Sequence, residues 1–157
     1  MLKSSSESNR SLIIPILASL CSVKLEQDPY DDESLREQES LIQDFVKAAQ
    51  DDGNAVHLSR ALSMEAAFFA QQGDLERAIQ DQQVLQMVYD VEKHSSRIIQ
   101  FYEKDYAAEC FSQSILWYFL AGQEDKASRQ ADLVISRHLP LQRLEDVDSI
   151  MALILPA

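Results

Sequence analysis

The sequence predicts an all-α protein, and three observations support that class. Glycine and proline are scarce, with 3 and 4 residues among 157, so few turns interrupt the chain. Ala, Leu, Gln and Glu are abundant, and these residues favour helices. Apolar residues recur at helical spacing, whereas no segment alternates convincingly with the period of two that is typical of a strand. We therefore expect six or more helices, joined by short turns into antiparallel hairpins.

Length and charge indicate one acidic domain. Residues 11–157 are predicted to form that domain, and the polar residues 1–10 to form a disordered tail. The formal net charge of −12 should repel nucleic acid and anionic membranes, so we expect neither as a partner. The expected compartment is the cytoplasm, with Cys21 and Cys110 as buried free thiols.

The first helix is predicted over the apolar segment 12–25, kinked or started at Pro15. Its outline is similar to that of a secretory signal peptide, which leaves a targeting role as an alternative. Glu7 before the apolar run and the absence of an A-x-A cleavage site favour a buried helix instead. The acidic stretch 26–33 that follows is predicted to be a linker, because the calcium-loop pattern is absent.

Capping residues delimit the next two helices. Ser34, with Glu37 three positions later, forms a predicted capping box. Gly53 can take the left-handed conformation that ends this helix. Asn54 is a good N-cap for a helix that runs to about Gln72.

Five further helices are predicted in the second half of the chain. Three of their expected caps are Asp74, Ser95 or Ser96, and Asp105. A fourth helix is expected after Gly122 and should stop at Pro140. The expected spans are 75–90, a short helix through Tyr102, 106–121 and 124–138, with a last amphipathic helix over 141–155.

An internal repeat is the strongest signal in the sequence. Two segments match at an offset of 49 residues, and both contain an aromatic pair, a glycine turn and a small alanine in the same order. Glycine permits the tight reversal between two helices, and alanine allows them to approach closely. The matched pairs are Leu62 with Phe111, Phe68 with Trp117, Phe69 with Tyr118, Gly73 with Gly122, Ala78 with Ala127, and Leu85 with Val134.

These residues resemble the tetratricopeptide repeat (TPR) family, whose recurring turn is Gly-Asp-Leu-Glu-x-Ala. Residues 73–78 match that turn, and Phe69 falls where the family prefers an aromatic residue. The second copy matches at Tyr118, Gly122 and Ala127 but departs at positions 123 and 124. The resemblance implies hairpins stacked as a right-handed α-solenoid. The stretch 89–117 also resembles uncharacterised helical-repeat proteins of algal origin, some of them attached to signalling ATPase or nucleotide-cyclase domains.

The repeat period departs from the family. TPR units repeat at about 34 residues, so the offset found here is longer by about 15 residues. That excess matches the segment 91–105, which we expect to be an inserted short helix and loop.

The resemblance also implies a binding groove, lined by the first helix of each hairpin. Lys and Asn residues that hold a terminal carboxylate in the family's chaperone-binding members are missing, so no such clamp is expected. The groove is expected to be small and apolar and to suit a partner helix or peptide. Its expected lining residues are Arg60, Ser63, Ala67, Ala70 and Gln71 in the first copy and Glu109, Ser112, Leu116, Phe119 and Leu120 in the second.

No catalytic or metal-binding motif is apparent, and no cofactor is expected. His57, His94 and His138 are not at ligand spacings and are expected to lie at the surface or at helix ends. Core packing is the expected use of at least two of the three aromatic residues 117–119. An enzyme remains an alternative, and it would need a pocket that unites two or more of Glu65, Glu109, His57 and His94.

The sequence therefore favours a non-enzymatic adaptor or scaffold that binds another protein. The alternative is a regulatory or dimerising helical tail derived from a larger signalling enzyme. That alternative is favoured by the apolar segment 152–157, which lies where a free solenoid needs a polar cap. Only the second hypothesis requires self-association that depends on concentration.

Overall fold

The structure is a computed structural model that describes residues 4–25 and 31–137, with side chains from residue 13 onward. These residues form seven α-helices and no strand, which confirms the all-α class. The last predicted helix, 141–155, lies outside the described residues, as do His138 and most of the acidic linker. The helices are α1 (Ser4–Leu25), α2 (Asp32–Asp52), α3 (Ala55–Gln71), α4 (Leu75–Val88), α5 (Val91–Tyr102), α6 (Tyr106–Leu120) and α7 (Glu124–Arg137).

The first helix is longer than the sequence predicts. It begins at Ser4, so residues 4–10 are helical, and the expectation of a disordered tail over 1–10 is wrong for them. Pro15 lies inside this helix and does not start it. The carbonyl oxygen of Pro15 accepts a hydrogen bond from the Ser19 hydroxyl at 2.9 Å. Local polarity suggested a tail, but Ser residues are tolerated in a helix that is already propagating.

The second helix begins earlier than expected. Asp31 is its N-cap, and the Asp31 carboxylate accepts a hydrogen bond from the backbone N–H of Ser34 at 2.9 Å. The predicted capping box of Ser34 and Glu37 is therefore wrong, because Ser34 is the residue that is capped. An aspartate at this end also complements the positive end of the helix dipole, as do the first-turn residues Asp32 and Glu33.

The fifth helix is also capped by an aspartate that the prediction missed. Asp90, not Ser95 or Ser96, accepts hydrogen bonds from the backbone N–H groups of Glu92 and Lys93 at 3.1 and 3.4 Å. The Lys93 ammonium adds a contact of 2.6 Å to the same carboxylate. A carboxylate with three donors is a stronger cap than a serine hydroxyl, so the helix starts at Val91.

Three other caps are confirmed. Asn54, Asp74 and Asp105 accept hydrogen bonds from the backbone N–H groups of Val56, Arg77 and Ala108, at 3.0, 3.2 and 3.1 Å respectively. The three glycines that were predicted to end or break helices all have a positive φ, between 71° and 79°. Residues other than glycine rarely adopt a positive φ, so the positions of these turns follow from the sequence.

The two repeat copies fold alike at their turns. The N–H of Asp74 donates to the carbonyl of Phe69 at 2.9 Å, and the N–H of Gln123 donates to the carbonyl of Tyr118 at 2.8 Å. The two bonds are 49 residues apart, the same offset as in the sequence repeat. All six matched pairs of the repeat are buried apart from the two glycines, which lie at the exposed turns. The departure at position 123 therefore leaves the turn unchanged.

The helices pack as three hairpins with one inserted helix. The hairpins are α1 with α2, α3 with α4, and α6 with α7, and α3 also contacts α1, α2, α5 and α6. The inserted helix α5 packs on α3 and α6 through buried Ile98, which confirms a helical insertion within 91–105. The core runs through all three hairpins, with Phe45, Phe68 and Phe111 among its largest fully buried side chains.

Candidate functional site

The side of the molecule where α1, α3 and α6 meet contains an open cleft of about 210 Å³, here called the Arg60 cleft. Helix α3 contacts both neighbours, so one side chain of α3 can reach residues of both. Ten residues line the cleft: Ser22 and Leu25 of α1; Arg60, Ser63, Met64 and Ala67 of α3; and Tyr106, Glu109, Cys110 and Gln113 of α6.

Arg60 is the buried charge of this cleft, with 6% of its surface exposed. Its guanidinium donates a hydrogen bond to the Ser22 hydroxyl at 3.0 Å, and its Cζ atom lies 3.6 Å from the centre of the Tyr106 ring. Both partners are neutral, and a cation over an aromatic face is a favourable contact. Burial lowers the pKa of Arg60, opposed mainly by electrostatic interaction with Tyr106 and Tyr102. Arginine nevertheless stays charged at physiological pH.

Glu109 is the carboxylate in the lining of the cleft, but another cation already binds it. The Lys104 ammonium lies 2.8 Å from a carboxylate oxygen of Glu109. No ion pair joins Arg60 to a carboxylate among the described residues. The Ser63 hydroxyl donates to the Arg60 backbone carbonyl at 2.8 Å and, being neutral, does not balance the charge.

The structure brings four of the predicted groove residues together. Arg60, Ser63, Ala67 and Glu109 all line the cleft. Ser112 is half-buried and donates its hydroxyl hydrogen to the Ala108 carbonyl at 3.1 Å. The others lie outside the cleft: Ala70 is half-buried, and Gln71, Leu116, Phe119 and Leu120 are exposed.

Helical spacing nevertheless puts several of these residues on common faces. On α3, positions 60, 63, 67 and 71 follow one another at three or four residues. On α6, positions 109, 113, 116 and 120 do the same. Leu116 and Leu120 are 56% and 61% exposed. The cleft therefore continues along α6 into an exposed apolar face, and these two stretches together are called the α3/α6 face.

The neighbouring aromatic cluster divides as expected between core and surface. Trp117 and Tyr118 are buried, whereas Phe119 is 58% exposed. The Tyr118 hydroxyl donates to the side-chain carbonyl of Gln82 at 3.0 Å, which ties α6 to α4. The prediction that at least two of the three aromatics serve packing is confirmed.

Six lining residues escaped the sequence analysis: Ser22 and Leu25 of α1, Met64 of α3, and Tyr106, Cys110 and Gln113 of α6. Gln113 lies one turn after Glu109 and could have been found from helical spacing alone. Tyr106 lies one turn before Glu109 and could have been found in the same way. Ser22 and Leu25 could not, because nothing in the sequence indicates that the end of α1 lies beside the first half of α3. The 38 residues between Ser22 and Arg60 carry no local signal of their hydrogen bond.

The two described histidines have structural partners. Nδ1 of His57 lies 2.6 Å from the Tyr102 hydroxyl, and the ring of Phe101 packs edge-on to His57 at 5.4 Å. His57 lies in the first turn of α3, one of the two expected kinds of position, but it is buried, and that burial lowers its pKa. Nδ1 of His94 accepts the N–H of Asp90 at 3.0 Å. Among the described residues, no group of three or more His, Cys, Asp or Glu could hold a metal ion.

Two carboxylates on α3 and α4 are strongly perturbed. Burial raises the pKa of Glu65 to about 7, and the charges of Asp81 and Glu39 add to the effect. Burial likewise raises the pKa of Asp81 to about 6, and its Oδ2 atom has no hydrogen-bond partner among the described residues. Neither residue lines the Arg60 cleft, which contains only Glu109 of the four residues that an enzyme would need to unite.

A second, larger cleft lies on the other side of α6. It has a volume of about 680 Å³ and is formed by the junction of α4 and α5 together with α6 and α7. Met87, Val91 and Leu133 give it apolar walls, and Asp90 and Glu92 give it acidic ones. None of the predicted groove residues lines it.

Both cysteines are buried free thiols, as expected. The Cys21 thiol donates weakly to the Leu41 carbonyl at 3.5 Å, and burial raises its pKa to about 11. Burial also raises the pKa of Cys110, which lines the Arg60 cleft. Because the thiolate is the reactive form of cysteine, neither side chain is suited to act as a nucleophile.

The geometry of the Arg60 cleft is the basis for interpreting this site. Within the part of the chain that the structure describes, no helix is both long and apolar enough to cross a bilayer. No protein-family model, curated protein or solved structure was found to match the chain.

Proposed function

We propose that this chain is a protein-interaction module, an adaptor or scaffold, that binds a helix or peptide of its partner along the α3/α6 face. One observation supports this proposal most directly. On α6, the residues that line the Arg60 cleft are followed, on the same side of the helix, by exposed leucines. Exposed apolar residues that form a continuous stripe mark binding surfaces more often than scattered ones do. An apolar groove is a surface that accepts the apolar face of an amphipathic helix, whose own anchors recur at three- and four-residue spacing.

We also propose that the hairpins form a TPR-like solenoid, in which α1, α3 and α6 are equivalent first helices. Two features support this arrangement. Helix α3 contacts the corresponding helices α1 and α6, as well as α2, the second helix of the preceding pair, and α4, the second helix of its own pair. The turns after α3 and α6 have the same hydrogen bonds at an offset of 49 residues. Stacked hairpins expose one long face, which such proteins use for binding.

The experiment that tests the function is a selection of random twelve-residue peptides displayed against the whole chain. Peptides that bind the α3/α6 face should carry apolar residues at helical spacing and should lose binding to the Leu116→Asp, Leu120→Asp double variant. Both leucines are largely exposed, so this variant should remain folded and change the free energy of unfolding by less than about 1 kcal/mol.

The matched control is Ile135→Asp on α7, because Ile135 is 59% exposed and lies outside the face. Selected peptides should bind this variant as tightly as they bind the native chain. If no peptide is enriched, or if the enriched peptides bind the double variant and the native chain equally, the proposed function is wrong.

A second candidate is a dimerising helical tail of signalling-enzyme origin, and one feature of α1 favours it. Ile13, Ile16, Leu20 and Val23 form an exposed apolar stripe, on a helix that also buries Ile14, Ala18 and Cys21. Helices that are apolar all round are normally covered on every side. Light scattering over a concentration series should then show a dimer that the Ile16→Asp, Leu20→Asp variant abolishes. A monomer at every concentration would exclude this candidate.

A further inference from the structure

Arg60 is a buried charge that forms no ion pair with any described carboxylate, although the charge of Glu109 attracts it from a greater distance. Ion pairs normally accompany buried charges, because an isolated charge is costly to remove from water. Arg60 is nine-tenths buried, yet its described contacts are with a serine hydroxyl and a tyrosine ring. A guanidinium has five N–H donors, and only one of them has a protein acceptor among the described residues. The remaining donors are therefore available to a ligand in the cleft.

The cleft has the size for one side chain. Sites for drug-sized molecules have volumes of roughly 300–1,000 Å³, and the Arg60 cleft has about 210 Å³. The end of an acidic side chain fits that space, whereas a nucleotide or a large cofactor does not. Leu25, Met64 and Ala67 give the cleft apolar walls, which would exclude water from a charge pair and strengthen it.

The polar lining is also arranged for an anion. Gln113 lines the cleft and has no hydrogen-bond partner among the described residues, so its amide can donate to a ligand. Glu109 would repel an anion, but its carboxylate is bound by the Lys104 ammonium at 2.8 Å. The guanidinium is held in place by stacking on Tyr106 and by its bond to Ser22. A fixed guanidinium suits the two parallel hydrogen bonds of a carboxylate.

We infer that the Arg60 cleft is a carboxylate-binding subsite, which receives a glutamate or aspartate side chain of the partner segment bound along the α3/α6 face. This choice of ligand rests on the proposed function, whereas the affinity of Arg60 for a carboxylate does not. The partner segment then combines apolar residues against Leu116 and Leu120 with an acidic residue at Arg60. The exposed leucines alone would accept any apolar helix. The buried arginine would favour those that also carry an acidic residue at the matching position.

The test uses the full chain and two small probes, N-acetyl-glutamate methylamide and its glutamine counterpart. The side-chain Nε–Hε signal of Arg60 is followed by nuclear magnetic resonance at pH 7 and constant ionic strength, and is assigned from its absence in Arg60→Gln. The glutamate probe should shift this signal saturably, and the glutamine probe should not. No saturable shift, or an equal shift with both probes, overturns the carboxylate subsite.

A second variant keeps the test decisive if Arg60→Gln does not fold. Glu109→Gln removes the negative charge in the cleft lining and leaves Arg60 intact, so the glutamate probe should bind several-fold more tightly. Unchanged or weaker binding by this variant would contradict an anion site at Arg60.

The source of the carboxylate is tested with the selected peptides. Their acidic residues are changed one at a time to the corresponding amide, and one such change should weaken binding on the order of tenfold or more, as expected for a charge-assisted hydrogen bond. The same change should have little effect on binding to Arg60→Gln. If that variant is unfolded, the change should have a smaller effect on binding to Arg60→Lys than on binding to the native chain, because lysine keeps the charge but not the two parallel hydrogen bonds. If no acidic residue matters while the glutamate probe binds, the partner assignment is wrong. If no peptide is selected, the proposed function fails, and the probe titration still decides the chemistry of Arg60.

Discussion

At the residue scale, two buried carboxylates make the stability of the fold depend on pH. The folded-state pKa of Glu65 is raised to about 7 and that of Asp81 to about 6, mainly by burial. A carboxylate whose pKa is raised by folding binds its proton more tightly in the folded state. These two groups therefore stabilise the fold as the pH falls from about 8 to about 5, and destabilise it when they ionise.

Replacing Glu65 with glutamine isolates one of these contributions. Glu65→Gln cannot ionise, so it should be more stable than the native chain at pH 8 by about 1 kcal/mol, after allowance for the partial exposure of Glu65. The difference should shrink toward zero at pH 5, where native Glu65 is protonated when folded. Urea unfolding at both pH values measures it.

The control is Glu37→Gln, which removes an exposed carboxylate that forms only a weak ion pair with Lys24 at 3.6 Å. Its effect should be below about 0.5 kcal/mol at either pH. If Glu65→Gln changes the free energy of unfolding equally at pH 5 and pH 8, folding does not raise the pKa of Glu65.

At the element scale, the aspartates that cap helices differ in their hydrogen-bond partners. Asp74 accepts the Arg77 N–H and forms an exposed ion pair with the same residue. Asp105 is buried, and it accepts both the Ala108 N–H and the Tyr89 hydroxyl, the latter at 2.6 Å. One cap therefore serves only the start of its helix, whereas the other also ties the end of α4 to α6.

This difference predicts unequal costs of removing the two caps. Asp74→Ala should lower the free energy of unfolding by about 1 kcal/mol, which is typical of an N-cap. Asp105→Ala should lower it by about 2–4 kcal/mol, because it also removes the hydrogen bond that the buried Tyr89 hydroxyl donates to Asp105. Chemical denaturation of both variants measures the costs. Equal losses would mean that the bond between Tyr89 and Asp105 adds nothing to stability.

The helix boundaries show where sequence reasoning succeeds at this scale. Asn54 and Asp105 could be identified as caps because each stands alone between a turn signal and an apolar run. Asp31 and Asp90 were missed, because Ser34, Ser95 and Ser96 are also acceptable caps nearby. A short-range pattern cannot decide between two acceptable caps, and the outcome depends on which start lets the helix pack, as Ile98 of α5 does in the core.

At the scale of the whole molecule, the repeat was predictable and the cleft was not. The offset of 49 residues and its helical insertion follow from the sequence, because turn glycines and small alanines recur in order. The Arg60 cleft depends on contacts that cross two hairpins, such as the hydrogen bond between Ser22 and Arg60. Helical spacing found four of the residues that α3 and α6 contribute, but not the end of α1 that closes the cleft beside them.

The central claim is that one face, built from equivalent helices of successive hairpins, binds a partner segment. The most direct test is a backbone amide chemical-shift titration of the full chain with a peptide from the selection. We predict that the largest shifts cluster on the α3/α6 face, around Arg60, Ala67, Leu116 and Leu120. Shifts concentrated on α2 and α7, or on the exposed stripe of α1, would contradict it.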